Sequence, residues 1–225
     1  MTRALSLFLL CVATVAMAQS NDATASPADY PKPERQVVGH TISSTHDPAV
    51  RITFASPFKY VGAVRWPLYN VADAELHIFV DAGPDKRVRR FYWVQFEGYL
   101  PSKPEAKHDY SGSEAHTEIA GWSWFVDTRV VEYPQRNSRA DSDGAHARRL
   151  ITDAGYIFPE AMAHVRLVYL TDASTRKELM IIYEEDMARL GANLQDVEGN
   201  AAPGHARFRD QMIEHAKAGM KIEPQ

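Results

Sequence analysis

From Gln36 onward the chain is built of short runs rich in Val, Ile, Phe, Tyr and Trp, each closed by a cluster of Gly, Pro, Asp or Ser. This pattern constrains the fold more than any other feature. β-Branched and aromatic side chains suit the pleated, half-buried surface of a sheet, and short runs bounded by turn residues mark antiparallel strands. The expected strands are residues 36–42, 49–55, 60–67, 75–81, 88–99 and 118–133, then 164–170 and 177–183. Ala82-Gly83-Pro84-Asp85 suits a hairpin turn, because Gly tolerates positive φ and Pro presets a bend. Thr171-Asp172-Ala173-Ser174 suits a second one.

Helical spacing is rarer. Asp141 or Ser142 can cap a segment with Ala147, Leu150, Ile151 and Ala154 on one face, and Gly155 stands where it would stop. Met187, Leu190 and Leu194 predict a short helix, and Phe208, Met212, Ala216 and Met220 a C-terminal one behind Pro203-Gly204. Strands do not alternate regularly with helices, so a doubly wound parallel sheet is disfavoured. The expected class is α+β: a mainly antiparallel, strongly curved sheet or partly closed β-barrel, packed against one or two helices.

The first residues read as a leader. Arg3 supplies a positive start, residues 4–15 an apolar stretch, and Ala16-Met17-Ala18 a small-x-small cleavage signature. The stretch falls short of the ~18–20 apolar residues that span a bilayer. Residues 1–18 are therefore expected to be a signal peptide, 19–35 a disordered N-terminal arm, and 36–225 a single domain with a C-terminal helix. Cleavage near Ala18 would place the mature chain in the periplasm or outside the cell. It would remove Cys11, the one cysteine, and with it any disulfide, thiol nucleophile or thiolate ligand. No later apolar run approaches membrane length, so the mature chain is expected to be soluble without a transmembrane segment. The whole chain carries a net charge of −4, which argues against a nucleic-acid partner.

In the run at residues 88–99, Tyr92, Val94 and Phe96 fall on one face and Phe91, Trp93, Gln95 and Glu97 on the other. The run at 118–133 puts Ala120, Trp122, Trp124 and Val126 on one face. Bulky groups on both sides predict central strands covered on both faces. Trp93 with Gln95 and Glu97, Trp122 with Trp124, His77 with Phe79, and His164 with Arg166 combine apolar walls with a few polar groups, as a small-molecule pocket does. The ordinary alternative is sheet packing. His108, Asp109, Glu114 and His116 gather imidazole and carboxylate groups that suit a divalent ion, although their spacing matches no zinc motif. Glu184-Glu185-Asp186 offers paired carboxylates for acid–base work, but its place reads more simply as the acidic start of a helix.

These features favour an exported binding module holding a small apolar or amphipathic ligand between sheet and helix. A histidine/carboxylate-dependent hydrolase or metal-assisted enzyme, and a cell-envelope interaction or assembly factor with a protein partner, are the alternatives. No motif specifies catalytic residues or a cofactor.

Overall fold

The computed structural model describes residues 29–134, 139–191, 197, 199 and 201–225. The run expected at 36–42 bends at Gly39 (φ 60°) into β1 (Gln36–Val38) and β2 (Thr41–Thr45). β3 (Ala49–Phe54) follows, and β11 (Met220–Pro224) closes a four-stranded antiparallel sheet in the order β1-β2-β3-β11. Met220 thus pairs with Phe54 instead of ending a helix, a correction to the i+4 pattern. The C-terminal helix α3 (His205–Ala218) stops one residue before Gly219, and the alternating residues after it find an open edge on β3.

The second sheet has seven antiparallel strands: β4 (Lys59–Leu68), β5 (Ala72–Ala82), β6 (Val88–Tyr99), β7 (Ala115–Ile119), β8 (Trp122–Glu132), β9 (Ala161–Leu170) and β10 (Lys177–Asp186). Their order is β4-β5-β6-β10-β9-β8-β7, two meanders joined where β6 meets β10. The run expected at 118–133 is two strands, because Ala120 (φ 56°) and Gly121 (φ 77°) form a two-residue hairpin turn with positive φ at both positions. Both expected hairpins are present, β5–β6 and β9–β10. The class is α+β with antiparallel sheets, but the sheet is neither closed nor strongly curled. The join at β6–β10 sends β4 and β7 to opposite ends, so no strand pairing closes a barrel.

Alternation along β6 and β10 feeds two cores. Tyr92, Val94, Phe96, Ile181 and Tyr183 face the four-stranded sheet, through Ile52 and Phe54, and α3, through Phe208, Met212 and Ala216. Phe91, Trp93, Met180 and Ile182 face the other way, toward Trp66, Leu76 and the helix α1 (Asp143–Asp153), which contributes Ala147 and Ile151. Ser142 caps α1 by accepting from the Ala145 amide at 3.3 Å, and Gly155 (φ 80°) follows it. Asp186 caps the short α2 (Met187–Leu190), while the expected member Leu194 lies outside the described residues. Glu184 and Glu185 belong to β10 and are buried, which corrects their reading as helix caps.

The expected arm is not free along its whole length. Tyr30 packs edge-on against His146, and the backbone amides of Glu34 and Arg35 each donate to Glu75 at 2.8 Å. Burial works against the Glu75 carboxylate, but hydrogen bonds from His77, from these two amides and the charge of Arg35 hold it down at about 2. The remainder of the arm and the expected leader, residues 1–28, lie outside the described residues. Among the described residues no helix is long and apolar enough to cross a membrane.

One junction tests this packing. A Cβ on Gly219 would stand 2.3 Å from the hydroxyl of Tyr92, which donates to the Ala216 carbonyl at 2.6 Å and is wedged by Phe54, Phe58 and Tyr183. Because Tyr92 cannot step aside, Gly219→Ala is expected to cost about 1–3 kcal/mol in urea denaturation. An unchanged midpoint would show that the α3–β11 joint is loose.

Candidate functional site

Strand register brings chemistry to the α1 side of the large sheet. One row across neighbouring strands reads Arg129, His164, Glu184 and Phe91, and the next reads Asp127, Arg166, Ile182 and Trp93. α1 lies over β4 and β5 and leaves these two rows partly open. The result is a cleft of ≈ 300 Å³ between sheet and helix, with Tyr133 and Phe158 stacked at its far wall (centroids 4.2 Å). Phe91, Trp93, Ile151 and Ile182 give it an apolar floor, and Arg129, Arg148, Arg166, His164 and Asp143 give it polar edges.

At its base Nδ1 of His164 lies 2.9 Å from Glu184, and the Tyr133 hydroxyl donates to the second oxygen of Glu184 at 3.0 Å. A carboxylate accepting at Nδ1 places the imidazole proton there and leaves Nε2 as the lone-pair nitrogen. Burial, then the positive field of Arg129 and Arg166, keeps His164 below its ordinary value against the pull of Glu184. Burial raises the Tyr133 phenol, and the Glu184 charge adds to it. Arg166 donates to Asp127 at 2.6 Å, while its Nε is buried without a partner among the described residues.

A second polar group continues under the first turn of α1. The Trp93 indole donates to Gln95 at 2.9 Å, and the Gln95 amide donates to Glu97 at 2.9 Å and to Asp143 at 3.4 Å. Glu178, on the paired position of β10, accepts from Tyr110 at 2.6 Å and stands 2.9 Å from Nδ1 of His108. Three carboxylates thus share one desolvated corner. Burial, followed by the charges of Glu178 and Asp143, pushes Glu97 up to about 8, and burial also raises Asp143. Burial opposes protonation of His108, but the bond to Glu178 prevails and raises it.

His108 reaches this corner because the preceding loop is pinned. The two terminal nitrogens of Arg176 donate to the carbonyls of Tyr99, Leu100, Lys103, Pro104 and Ala106 at 2.7–3.3 Å, a task that needs the planar guanidinium fork.

The expected ligand residues divide between two faces. Trp93, His164 and Arg166 line the cleft, and Gln95 and Glu97 connect to its Asp143 edge. His77, Trp122 and Trp124 do not join them, because they point to the opposite side of the same sheet. His77 is buried between Glu75 (2.8 Å) and Tyr60 (3.3 Å), whereas Trp124 is buried and Trp122 stacks on Tyr169 at 4.2 Å. The expected metal group is also dispersed. His108 serves Glu178, Asp109 accepts from the Ser111 amide, Glu114 binds Thr128 and His205, and His116 packs on Phe125. Among the described residues no group of three or more His, Cys, Asp or Glu side chains is arranged to hold a metal ion.

Sequence reading missed Arg129, Asp143, Glu178 and Tyr133, and it set Glu184 aside as part of a helix start. For Glu184 a signal existed, since extending the 164–170/177–183 hairpin by one residue sets it opposite His164. Compared with known proteins, the chain matches no family model, no curated protein and no solved structure.

The Glu97 corner sets a pH dependence. Folded Glu97 keeps its proton up to about 8, whereas the unfolded chain loses it near the ordinary value of 4.5. The folded state therefore binds more protons in that window, and stability falls as pH rises through it. Glu97→Gln removes this slope. Its melting temperature is expected to exceed that of the wild type by several degrees near pH 8 and to converge with it at about pH 4.5. A difference independent of pH would contradict the assignment.

Proposed function

We propose that the chain is an exported, soluble binding module that holds a small amphipathic ligand in the cleft between α1 and the seven-stranded sheet. The observation that carries this reading is the cleft itself, where Trp93, His164 and Arg166 share ≈ 300 Å³ with Phe91, Ile151 and Ile182. That size lies at the small end of ligand pockets, and an apolar floor with a few polar groups at its rim is their usual chemistry. Hydrophobic surface on the ligand supplies affinity, and the rim supplies orientation.

The leader supports the site of action. A charged start, a short apolar stretch and Ala16-Met17-Ala18 fit cleavage after Ala18 and delivery to the periplasm or the exterior. Fused to no other export signal and expressed in a bacterium, the chain is expected in the exported fraction with Gln19 as its first residue by intact mass. Retention of residues 1–18 on cytoplasmic protein would sink the export reading.

A second reading, a histidine–carboxylate hydrolase, has one observation in its favour. Glu184 orients His164 as the third member of a catalytic triad orients its base. Loss of esterase activity in His164→Gln, with folding intact, is the outcome it requires.

The binding reading is tested with a panel of octyl compounds: octanol, octanoate, octyl phosphate and octylamine. A ligand at a hundred times its Kd stabilises by about 2.7 kcal/mol, a rise on the order of 5–10 °C for a domain of this size. At least one member is expected to produce such a rise. Ala147→Leu, which extends a side chain into the cleft, should abolish it relative to that variant's own unliganded melting point. No shift with any of the four would end the binding proposal.

A further inference from the structure

We infer that the ligand of the α1–sheet cleft is a small amphipathic organic anion, a carboxylate or phosphate, whose charged group sits between Arg129 and Arg166 while its apolar part lies on Phe91, Ile151 and Ile182. This rests on the proposed binding role of the cleft and assigns the ligand's chemical class.

The charge distribution around the cleft is the first ground. Its rim holds three guanidinium groups, Arg129, Arg148 and Arg166, against two carboxylates, Asp143 and Glu184. Glu184 is turned inward and bound by His164 at 2.9 Å and Tyr133 at 3.0 Å, so its charge is already answered by donors of the protein. Asp143 lies under the first turn of α1 beside Gln95, and burial raises its carboxyl, which weakens its claim on a cation. Arg166 is itself paired with Asp127, so the charge left unanswered at the rim is that of the exposed Arg129, with the remaining N–H donors of Arg166 beside it.

The second ground is unspent donor capacity. Arg166 spends one terminal nitrogen on Asp127, and its buried Nε has no partner among the described residues. Arg129 projects from the row that holds His164 and is exposed, and it makes no ion pair among the described residues. Guanidinium groups bind carboxylate and phosphate through paired N–H donors, more strongly than they bind neutral acceptors.

The third ground is His164. Its Nε2 makes no hydrogen bond among the described residues and, as the lone-pair nitrogen of the neutral ring, donates to an anion only after taking up a proton; the side chain is 4% exposed. The groups that surround it are Arg129 on β8, Arg166 on β9, Glu184 on β10 and, through Glu184, Tyr133. An anion placed at Arg129 and Arg166 would offset the positive field that these two impose on the imidazole. A cationic ligand would add to that field and be repelled.

The experiment measures the affinity of the full mature chain for the four octyl probes by calorimetry, with wild type, Arg129→Gln, Arg129→Glu and Arg166→Lys. Octanoate or octyl phosphate is expected to bind at least about tenfold more tightly than octanol, and octylamine more weakly than either. Which of the two anions binds better separates a carboxylate from a phosphate ligand. Arg129→Gln should weaken the anion several-fold and leave octanol unchanged, and Arg129→Glu should weaken it further. Arg166→Lys keeps a charge beside Asp127 and so guards against unfolding, yet it should still lose affinity for the anion because the fork is gone. Octanol binding as tightly as both anions, or anion affinity insensitive to Arg129, would overturn the anion assignment and leave the binding module standing. Silence from all four probes would remove both.

Discussion

The pairing of β6 with β10 is the constraint on which the rest of the structure depends. It joins two meanders whose strands are far apart in the chain, in a register that runs from Lys177 opposite Gly98 to Glu185 opposite Arg90. Both strands are covered on both faces, so the register decides at once which side chains enter which core. A slip of one residue would exchange Tyr92 and Tyr183 with Phe91 and Glu184, and would drive buried carboxylates into an apolar layer. Such a slip is costly because an unpaired charge in a low-dielectric interior finds no compensation.

That register also explains the polar groups. On the α1 side the pairing aligns Glu178 with Glu97 and Glu184 with Phe91, and β9 adds His164 and Arg166 beside them. Each of these carboxylates is then supplied with donors: His164 and Tyr133 for the buried Glu184, His108 and Tyr110 for the buried Glu178, and Gln95 for the half-buried Glu97. Satisfying such groups avoids a desolvation penalty of a few kcal/mol each. It also fixes side-chain orientation, and orientation is what a binding site needs. On the other face, Glu75, His77 and Tyr60 form a comparable network, but it ties the segment around Arg35 to the sheet and opens onto no α1 cleft.

Much of the local structure was legible along the chain. Residues 75–81 and 88–99 alternate clearly and are joined by a Gly-Pro turn, so the β5–β6 hairpin could be read directly. Ser142, through its capping hydroxyl, and Gly155, through its tolerance of positive φ, marked the ends of α1. Turns without such markers were harder. Ala120 adopts positive φ, which its side chain does not advertise, so β7 and β8 looked like one strand. Glu184 and Glu185 looked like caps because acidic residues ahead of a short helix usually are, and only the hairpin partner His164 shows why one of them belongs inside the sheet.

The sequence by itself determined the α+β class, the antiparallel hairpins, the two-faced burial of the central strands and the pairing of Trp93 with Gln95 and Glu97. These follow from periodicity and turn chemistry, which act between residues close in the chain. Only the tertiary structure decided that Trp122, Trp124 and His77 face away from Trp93. It likewise decided that His108, Asp109, Glu114 and His116 serve separate partners, and that Arg129, Glu184 and Asp143 complete the cleft. Faces on different strands can be related only through their pairing, and that pairing is set by packing across the whole sheet. A periodicity of two says that a strand has two sides, but not which side its distant neighbours share.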